Sequence, residues 1–246
     1  MNWIEILNKL IDTQKPFVMA TIVEKKGSSP REPGTRCFVT QEGIIGTIGG
    51  GELEERVKHD AIKCLQQGRS HIKTYVLKQD CTGQVTVFLE YFPAQKQLVI
   101  FGGGNVGRCL TQVMADTSFN VTVVEQRQEF AKAEDFPRGI SIVNKDYLEM
   151  ANEIESDPEK THFVITTYSH ETDLAVLEIL IKKPYRYLGV IGSKKKAAFL
   201  KKKLSELNLD QDLIDQIKCP IGDPRIKGRL PKEIAISIAA QILSSQ

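Results

Sequence analysis

Apolar positions along this chain follow two regimes, separated by a short break at Pro93 to Gln97. Before the break, Trp3, Ile4, Leu7, Leu10 and Ile11 recur at helical spacing, which predicts a helix over 2–13. Phe17 to Val23 reads as a strand. Gly27 to Gly34 then holds two prolines and two glycines in eight residues, which excludes helix and most sheet. Arg36 to Thr40 and Ile44 to Ile48 pair as a hairpin around Gln41-Glu42-Gly43. Gly49-Gly50-Gly51 opens a helix over 52–67, and residues 72–78 and 84–91 alternate as strands around Asp80-Cys81-Thr82-Gly83. After the break, strands at 98–101, 121–125, 140–143, 162–166 and 187–191 alternate with helices at 105–116, 146–155, 171–182, 193–207 and 231–244. Such alternation predicts a doubly wound parallel sheet. The expected class is α/β, with an N-terminal α+β domain over 1–92 and a Rossmann-like domain over 97–246.

Composition narrows the class without changing this picture. The 246 residues are 41% hydrophobic and 26% charged, with net charge +2, as in soluble globular proteins. The near-neutral balance gives no case for a nucleic-acid partner. No apolar run approaches the roughly 18 residues a membrane span needs. The N-terminus, MNWIEILNKLIDTQK, is amphipathic and lacks the continuous apolar core of a signal peptide. The five cysteines, Cys37, Cys64, Cys81, Cys109 and Cys219, are odd in number and show no C-x-x-C spacing. Neither a disulfide framework nor a zinc knuckle is expected, and the cytoplasm is the expected compartment.

The candidate chemistry gathers around glycines. Residues 97–125 run strand, glycine turn, helix, strand, acid, with Gly102, Gly104 and Gly107 in G-x-G-x-x-G spacing. Gly102 would permit the tight turn, Gly104 would let a diphosphate approach the backbone, and Gly107 would let helix and sheet pack closely. Glu125, 21 positions after Gly104, stands where a carboxylate accepts from a ribose 2′-hydroxyl. The alternative is a packing turn with a vacant or repurposed crevice. Gly49, Gly50 and Gly51 make a second strand–glycine–helix corner, with Ser28, Ser29, Arg31 and Arg36 nearby in sequence. Together they would suit a phosphate or carboxylate. Equally, Glu52 and Glu54 would complement the helix dipole themselves, leaving only a tight corner. Cys81, in a turn, is placed to exchange sulfur, to bind a soft metal, or to do neither. His170 follows a strand end where open α/β sheets bind ligands. Lys194, Lys195 and Lys196 oppose the dipole of the helix they begin. They mark either an anionic partner or a solvated basic face, with Ala197, Leu200, Leu204 and Leu207 turned inward. Ile234, Ile238 and Ile242 with Ala235 and Ala239 form a core or dimer stripe.

Several segments together resemble one family. GSSPREPGTR (27–36), GTIGGGELE (46–54), CTGQVTVFLE (81–90), the glycine turn at 102–107, YLGVIGSKKK (187–196), CPIG (219–222) and PKEIAISIAAQI (231–242) are similar in kind and order to the xanthine dehydrogenase accessory proteins, the XdhC/CoxI family. The resemblance spans nearly the whole chain. It implies an XdhC/CoxI domain followed by a Rossmann domain, commonly as a homodimer. It also implies a non-catalytic carrier that binds molybdenum cofactor and delivers it to an apo molybdenum hydroxylase, in some cases with a cysteine desulfurase. Four departures stand out. Glu52 follows the triple glycine where the family often has cysteine. Cys81-Thr82-Gly83 replaces Cys-Gly-Gly. Tyr168 replaces the first histidine of a Thr-His-x-His-x-x-Asp run, of which His170 and Asp173 remain. Gly222 to Gly228 differs from the usual Gly-Leu-x-Ile-Gly loop.

The expectation is a cofactor held between the two domains. Ser28, Ser29, Arg31 and Gly49 to Gly51 would sit on polar or phosphate groups, Cys81 would lie near the dithiolene end, and no resident metal or catalytic residue is assigned. The rival readings are an NAD(P)-dependent oxidoreductase and a nucleotide-binding regulator. In the first, Gly102, Gly104, Gly107 and Glu125 hold the dinucleotide and His170 is the acid/base. Glu125 would favour NAD, and Arg127 nearby would accept the extra phosphate of NADP.

Overall fold

In the computed structural model, which describes residues 2–13, 15–28, 31–77, 83–207 and 209–245, the chain separates into two units, Met1–Gln95 and Lys96–Gln246. The first opens with α1 (Trp3–Asp12), fixed by a capping box in which Asn2 accepts from Ile4 and Glu5 reaches back to the Asn2 backbone. Next come β1 (Phe17–Gly27), β2 (Arg36–Val39), β3 (Ile44–Gly46), α2 (Gly51–Gln67), β4 (His71–Leu77) and β5 (Gly83–Phe92). They form one antiparallel sheet in the order β3-β2-β1-β5-β4. Strand β1 runs past the expected end at Val23, because Glu24 to Gly27 pair with Thr86 to Gly83 beyond a bulge. Helix α2 turns Leu53, Val57, Ala61 and Cys64 onto Val18, Ala20, Ile22, Val85, Val87 and Leu89 of the sheet. Leu10 of α1 joins Phe17 and Phe38 in a smaller cluster.

The second unit contains β6 (Lys96–Phe101), α3 (Asn105–Met114), β7 (Phe119–Val124), β8 (Ser141–Val143), α4 (Tyr147–Glu153), β9 (Thr161–Ile165), α5 (His170–Leu180), β10 (Tyr187–Val190), α6 (Lys194–Glu206), α7 (Gln211–Gln216) and α8 (Pro231–Ser244). Its sheet is parallel, in the order β10-β9-β6-β7-β8. Lys218 extends it beyond β10: its N–H donates to Leu188 O, and its carbonyl accepts from Val190 N, both at 2.9 Å. Numbered from β6, the order is 3-2-1-4-5, with the Lys218 bridge where a dinucleotide-binding Rossmann sheet has its sixth strand, and the order reverses between β6 and β9. One face is covered by α4, α5 and α6 over Phe101, Phe163 and Val190; the other by α3 and α8 over Leu98, Ile100 and Val123. Cover on both sides explains why β9 and β10 are buried at every position.

The class is thus α/β, with an antiparallel α+β unit preceding a parallel Rossmann unit. The details depart from the reading in three places. Strand β6 begins at Lys96, inside the segment read as a break, because Lys96 and Gln97 pair with Phe119 and Asn120. Helix α7 and the two short 3-10 turns Gln128–Phe130 and Ala133–Asp135 have no periodic signature to find. Leu207 is 46% exposed rather than turned inward. No described helix is long and apolar enough to cross a membrane.

Candidate functional site

The glycine turn lies where the strand order reverses, and each glycine has its own reason. Gly102 has φ +121°, and a Cβ there would lie 2.3 Å from Thr166 O. Thr166 closes the floor of the crevice by donating from N to Phe101 O at 2.8 Å and from Oγ1 to Gly102 O at 3.3 Å. At Gly107 a Cβ would sit 1.9 Å from Gly102 O, so helix and turn touch backbone to backbone. Gly104, the N-cap of α3, has no atom within 4 Å of its missing Cβ. Its open face is the one place in the turn where a ligand backbone approach has room.

Glu125 is fully buried and turned inward. Its Oε2 accepts from Gly103 N and Arg127 Nη2, and its Oε1 from Arg127 N and Nε, all at 2.9 Å. Burial alone would raise its pKa, yet the Arg127 guanidinium and the Arg127 and Gly103 amides hold it below the usual carboxylate range. Both oxygens are occupied by hydrogen bonds within the protein. Arg127 lies 4.1 Å from the Phe130 ring centroid and 4.9 Å from that of Tyr168, and Gln126 Nε2 donates to the Tyr168 hydroxyl at 3.0 Å. Across the turn, Arg108 donates to Gly103 O at 3.0 Å and pairs with Asp135 at 2.7 Å.

The second glycine corner is also satisfied from within. Gly49, Gly50 and Gly51 have φ of 135°, 73° and 58°, a run of left-handed backbone that side chains resist. Glu54 folds back over it. Its Oε2 accepts from Thr47 Oγ1 at 2.6 Å, Ile48 N at 3.2 Å and Gly50 N at 3.3 Å. The Thr47 hydroxyl contributes most to lowering the Glu54 pKa, and the charge of Arg31 adds to it. Of the two acids considered for this corner, Glu54 fills it, while Glu52 pairs with Arg56 at 3.5 Å. Arg36 stacks 4.5 Å from the Trp3 ring centroid. Burial, with the Glu54 charge adding, pushes the nearby Cys37 thiol up to about 12, so it is inert as a nucleophile.

Ser28 is exposed, and its carbonyl lies 2.1 Å from where a Gly83 Cβ would be, which sets it against the start of β5. Ser29 and Cys81 lie outside the described residues. His170 is the exposed first residue of α5, capped by Ser169. Gly102, Gly104, Gly107, Glu125 and His170 belong to the second unit; Ser28, Arg31 and the triple glycine belong to the first.

One cluster joins two segments read separately in the sequence, the Thr167 to Asp173 run and the lysine run at 194–196. Lys196 is buried and ion-paired with buried Asp173. Asp173 also accepts from Thr167 N at 3.0 Å and Thr167 Oγ1 at 2.5 Å. The lysine stem crosses Gly192, where a Cβ would lie 2.6 Å from Lys196 Cδ. Lys194 and Lys195 are exposed, but the third lysine belongs to neither alternative read for the run; it ties the start of α6 to α5, whose Asp173 in turn holds Thr167 in the loop after β9. Beyond β10, Gly222 is held by Gln241, which accepts from its N–H and donates to its carbonyl at 2.9 Å.

These features define a two-part protein with an antiparallel first unit and a Rossmann-type second unit. The XdhC and CoxI family matches residues 10–76, and the XdhC Rossmann domain matches residues 98–242. The chain belongs to the XdhC/CoxI family. Among its relatives is YqeB of Escherichia coli (strain K12), 29% identical over 243 residues, covering 96% of this chain and 44% of that protein. Another, from Bacillus subtilis (strain 168), is named as a probable xanthine dehydrogenase subunit. It is 24% identical over 160 residues, covering 65% of this chain and 46% of its own. The chain thus spans less than half the length of these curated relatives. A crystal structure from Bacillus halodurans, described as a xanthine dehydrogenase, covers 100% of this chain and 96% of its own, at TM-score 0.53 and 23% identity. At that identity it shows a shared fold.

Proposed function

We propose that this chain is an accessory factor for a xanthine dehydrogenase-type molybdenum hydroxylase, binding molybdenum cofactor and passing it to the apo-enzyme. The observation that carries this reading is the presence of both family parts in one chain, over 10–76 and 98–242. The name of the Bacillus subtilis relative points the same way. The crevice residues fit a phosphate-bearing guest: the α3 start presents backbone N–H groups beside the open face of Gly104. Among the described residues no cluster of histidine, cysteine and acids is suited to hold a metal ion. Molybdenum would be retained by the cofactor's own dithiolene, with this chain gripping the organic part. Redox chemistry belongs to the client once the cofactor is delivered. The role asks for binding and release rather than turnover, in the cytoplasm, with a homodimer and a cysteine desulfurase as further proposed associations.

The test is anaerobic purification from a cofactor-producing host, followed by molybdenum and pterin analysis and transfer to an apo-hydroxylase. Copurifying cofactor and restored client activity are expected. A chain that holds neither metal nor pterin, and takes up none when supplied, overturns the proposal. The second reading, a nucleotide-binding regulator, is favoured by the open Gly104 backbone, and titration with NAD, NADP and AMP checks it. Hydride transfer in the same assay would revive the oxidoreductase alternative.

A further inference from the structure

The crevice carries an aromatic face that its glycine motif does not explain. Tyr168 stands just past the C-terminal end of β9, beside the point where the strand order reverses, and is 54% exposed. Its ring is nonetheless fixed. The hydroxyl accepts from Gln126 Nε2 at 3.0 Å, and the Arg127 guanidinium lies 4.9 Å from the ring centroid. Tyr147, fully buried, supports it at 6.4 Å between centroids and 40° between planes. Arg127 is itself clamped by two bonds to Glu125. An aromatic ring held this firmly has already lost the freedom that stacking would cost it, while more than half of it still meets water.

Two acids and two arginines around the glycine turn are committed to one another. Both Glu125 oxygens are used by Gly103 and Arg127, so Glu125 is not presented to a sugar hydroxyl. Glu125 compensates Arg127, and Asp135 compensates Arg108. Beside them stand backbone N–H at the start of α3, which suits a phosphate, and the exposed ring of Tyr168, which suits a flat base. We infer that the crevice takes a phosphate-bearing ligand with a planar bicyclic heteroaromatic base, purine or pterin, stacked on Tyr168, and makes no use of a ribose 2′-hydroxyl. The inference rests on the crevice being the ligand site of the proposed function, and not on delivery to a client.

Calorimetric titration of the full chain with AMP, 2′-deoxy-AMP, ribose 5-phosphate and a pterin monophosphate tests it. AMP and its deoxy analogue should bind within about 2-fold of each other. Ribose 5-phosphate should bind about 10-fold more weakly, for want of one base–aromatic stack. Tyr168→Ala should weaken the bicyclic ligands about 10-fold and leave ribose 5-phosphate unchanged, whereas Tyr168→Phe should keep most of the affinity. A stronger pterin than purine, or the reverse, identifies the source of the base and supports the stack either way. Absence of binding by both bicyclic classes, equal affinity in Tyr168→Ala, or a loss of about 10-fold on removing the 2′-hydroxyl overturns the inference. A chain that keeps its molybdenum and pterin unchanged in Tyr168→Ala refutes the stack and leaves the carrier role standing. One that binds AMP through Tyr168 but never holds molybdenum refutes the carrier role alone.

Discussion

At the scale of single residues, the two glycine turns share a device: each is closed by an acid from its own unit, Glu54 in one and Glu125 in the other. The acids themselves stand out in the sequence, but their direction does not. Spacing places Glu125 at the end of a strand, whereas its burial depends on Arg127 folding back two residues later. The glycines were more legible, because hard contacts dictate them. Gly107→Ala would drive a methyl into Gly102 O and should cost at least about 3 kcal/mol, or prevent folding. Gly104→Ala meets nothing at φ −72° and should change stability by less than about 1 kcal/mol while weakening ligand binding. Denaturant titration of the two variants, with calorimetry on the second, checks both. Glu54→Gln should destabilise by about 1 kcal/mol at pH 7, since a neutral amide accepts more weakly from Thr47, Ile48 and Gly50. Because the folded pKa of Glu54 is lowered, that stabilisation is complete above the unfolded value near 4.5 and is lost as pH falls through the folded value. The gap between wild type and variant should close over that range.

Elements were the most readable level, because period and punctuation decide them locally. The strands and helices of the parallel half appear close to where apolar runs and helical spacing put them. What escaped was held by distant partners. Lys218 joins the sheet through two backbone bonds to β10 and has no strand pattern around it. Lys196 looks like one of three surface lysines, yet its stem crosses Gly192 to reach Asp173. Removing one member of such a buried pair leaves the other charged and unsolvated. Lys196→Met should therefore lose about 3–5 kcal/mol. Adding Asp173→Asn, which removes the stranded charge and can still accept from Thr167, should recover part of that. A double-mutant cycle in urea that shows simple additivity would refute the coupling. His162 gives β9 a pH dependence. It is fully buried, lies against Phe119 at 4.9 Å, and has its pKa lowered by burial. Its neutral form is the one that fits, so its contribution is full above the unfolded value near 6.5 and falls as the solution is acidified. The slope is at most about 1.4 kcal/mol per pH unit. Unfolding measured at pH 7.5 and pH 5.5 should show this loss in wild type and not in His162→Phe.

At the scale of the molecule, each unit encloses apolar clusters of its own, and the second builds one on each side of its sheet. Residues 96–246 expressed alone should therefore unfold in one cooperative transition, read by circular dichroism. A fragment ending before α8 should not. The reason is that Leu110 and Met114 of α3 are covered by Ala235, Ile238, Ala239 and Ile242. Pro231 follows Met114 by 117 positions. At roughly 5–20 amino acids per second, a ribosome needs about 6–23 s to bridge that gap. Throughout that interval the apolar stripe of the nascent glycine-turn helix lacks its cover, so the core beneath the crevice closes only once α8 has emerged.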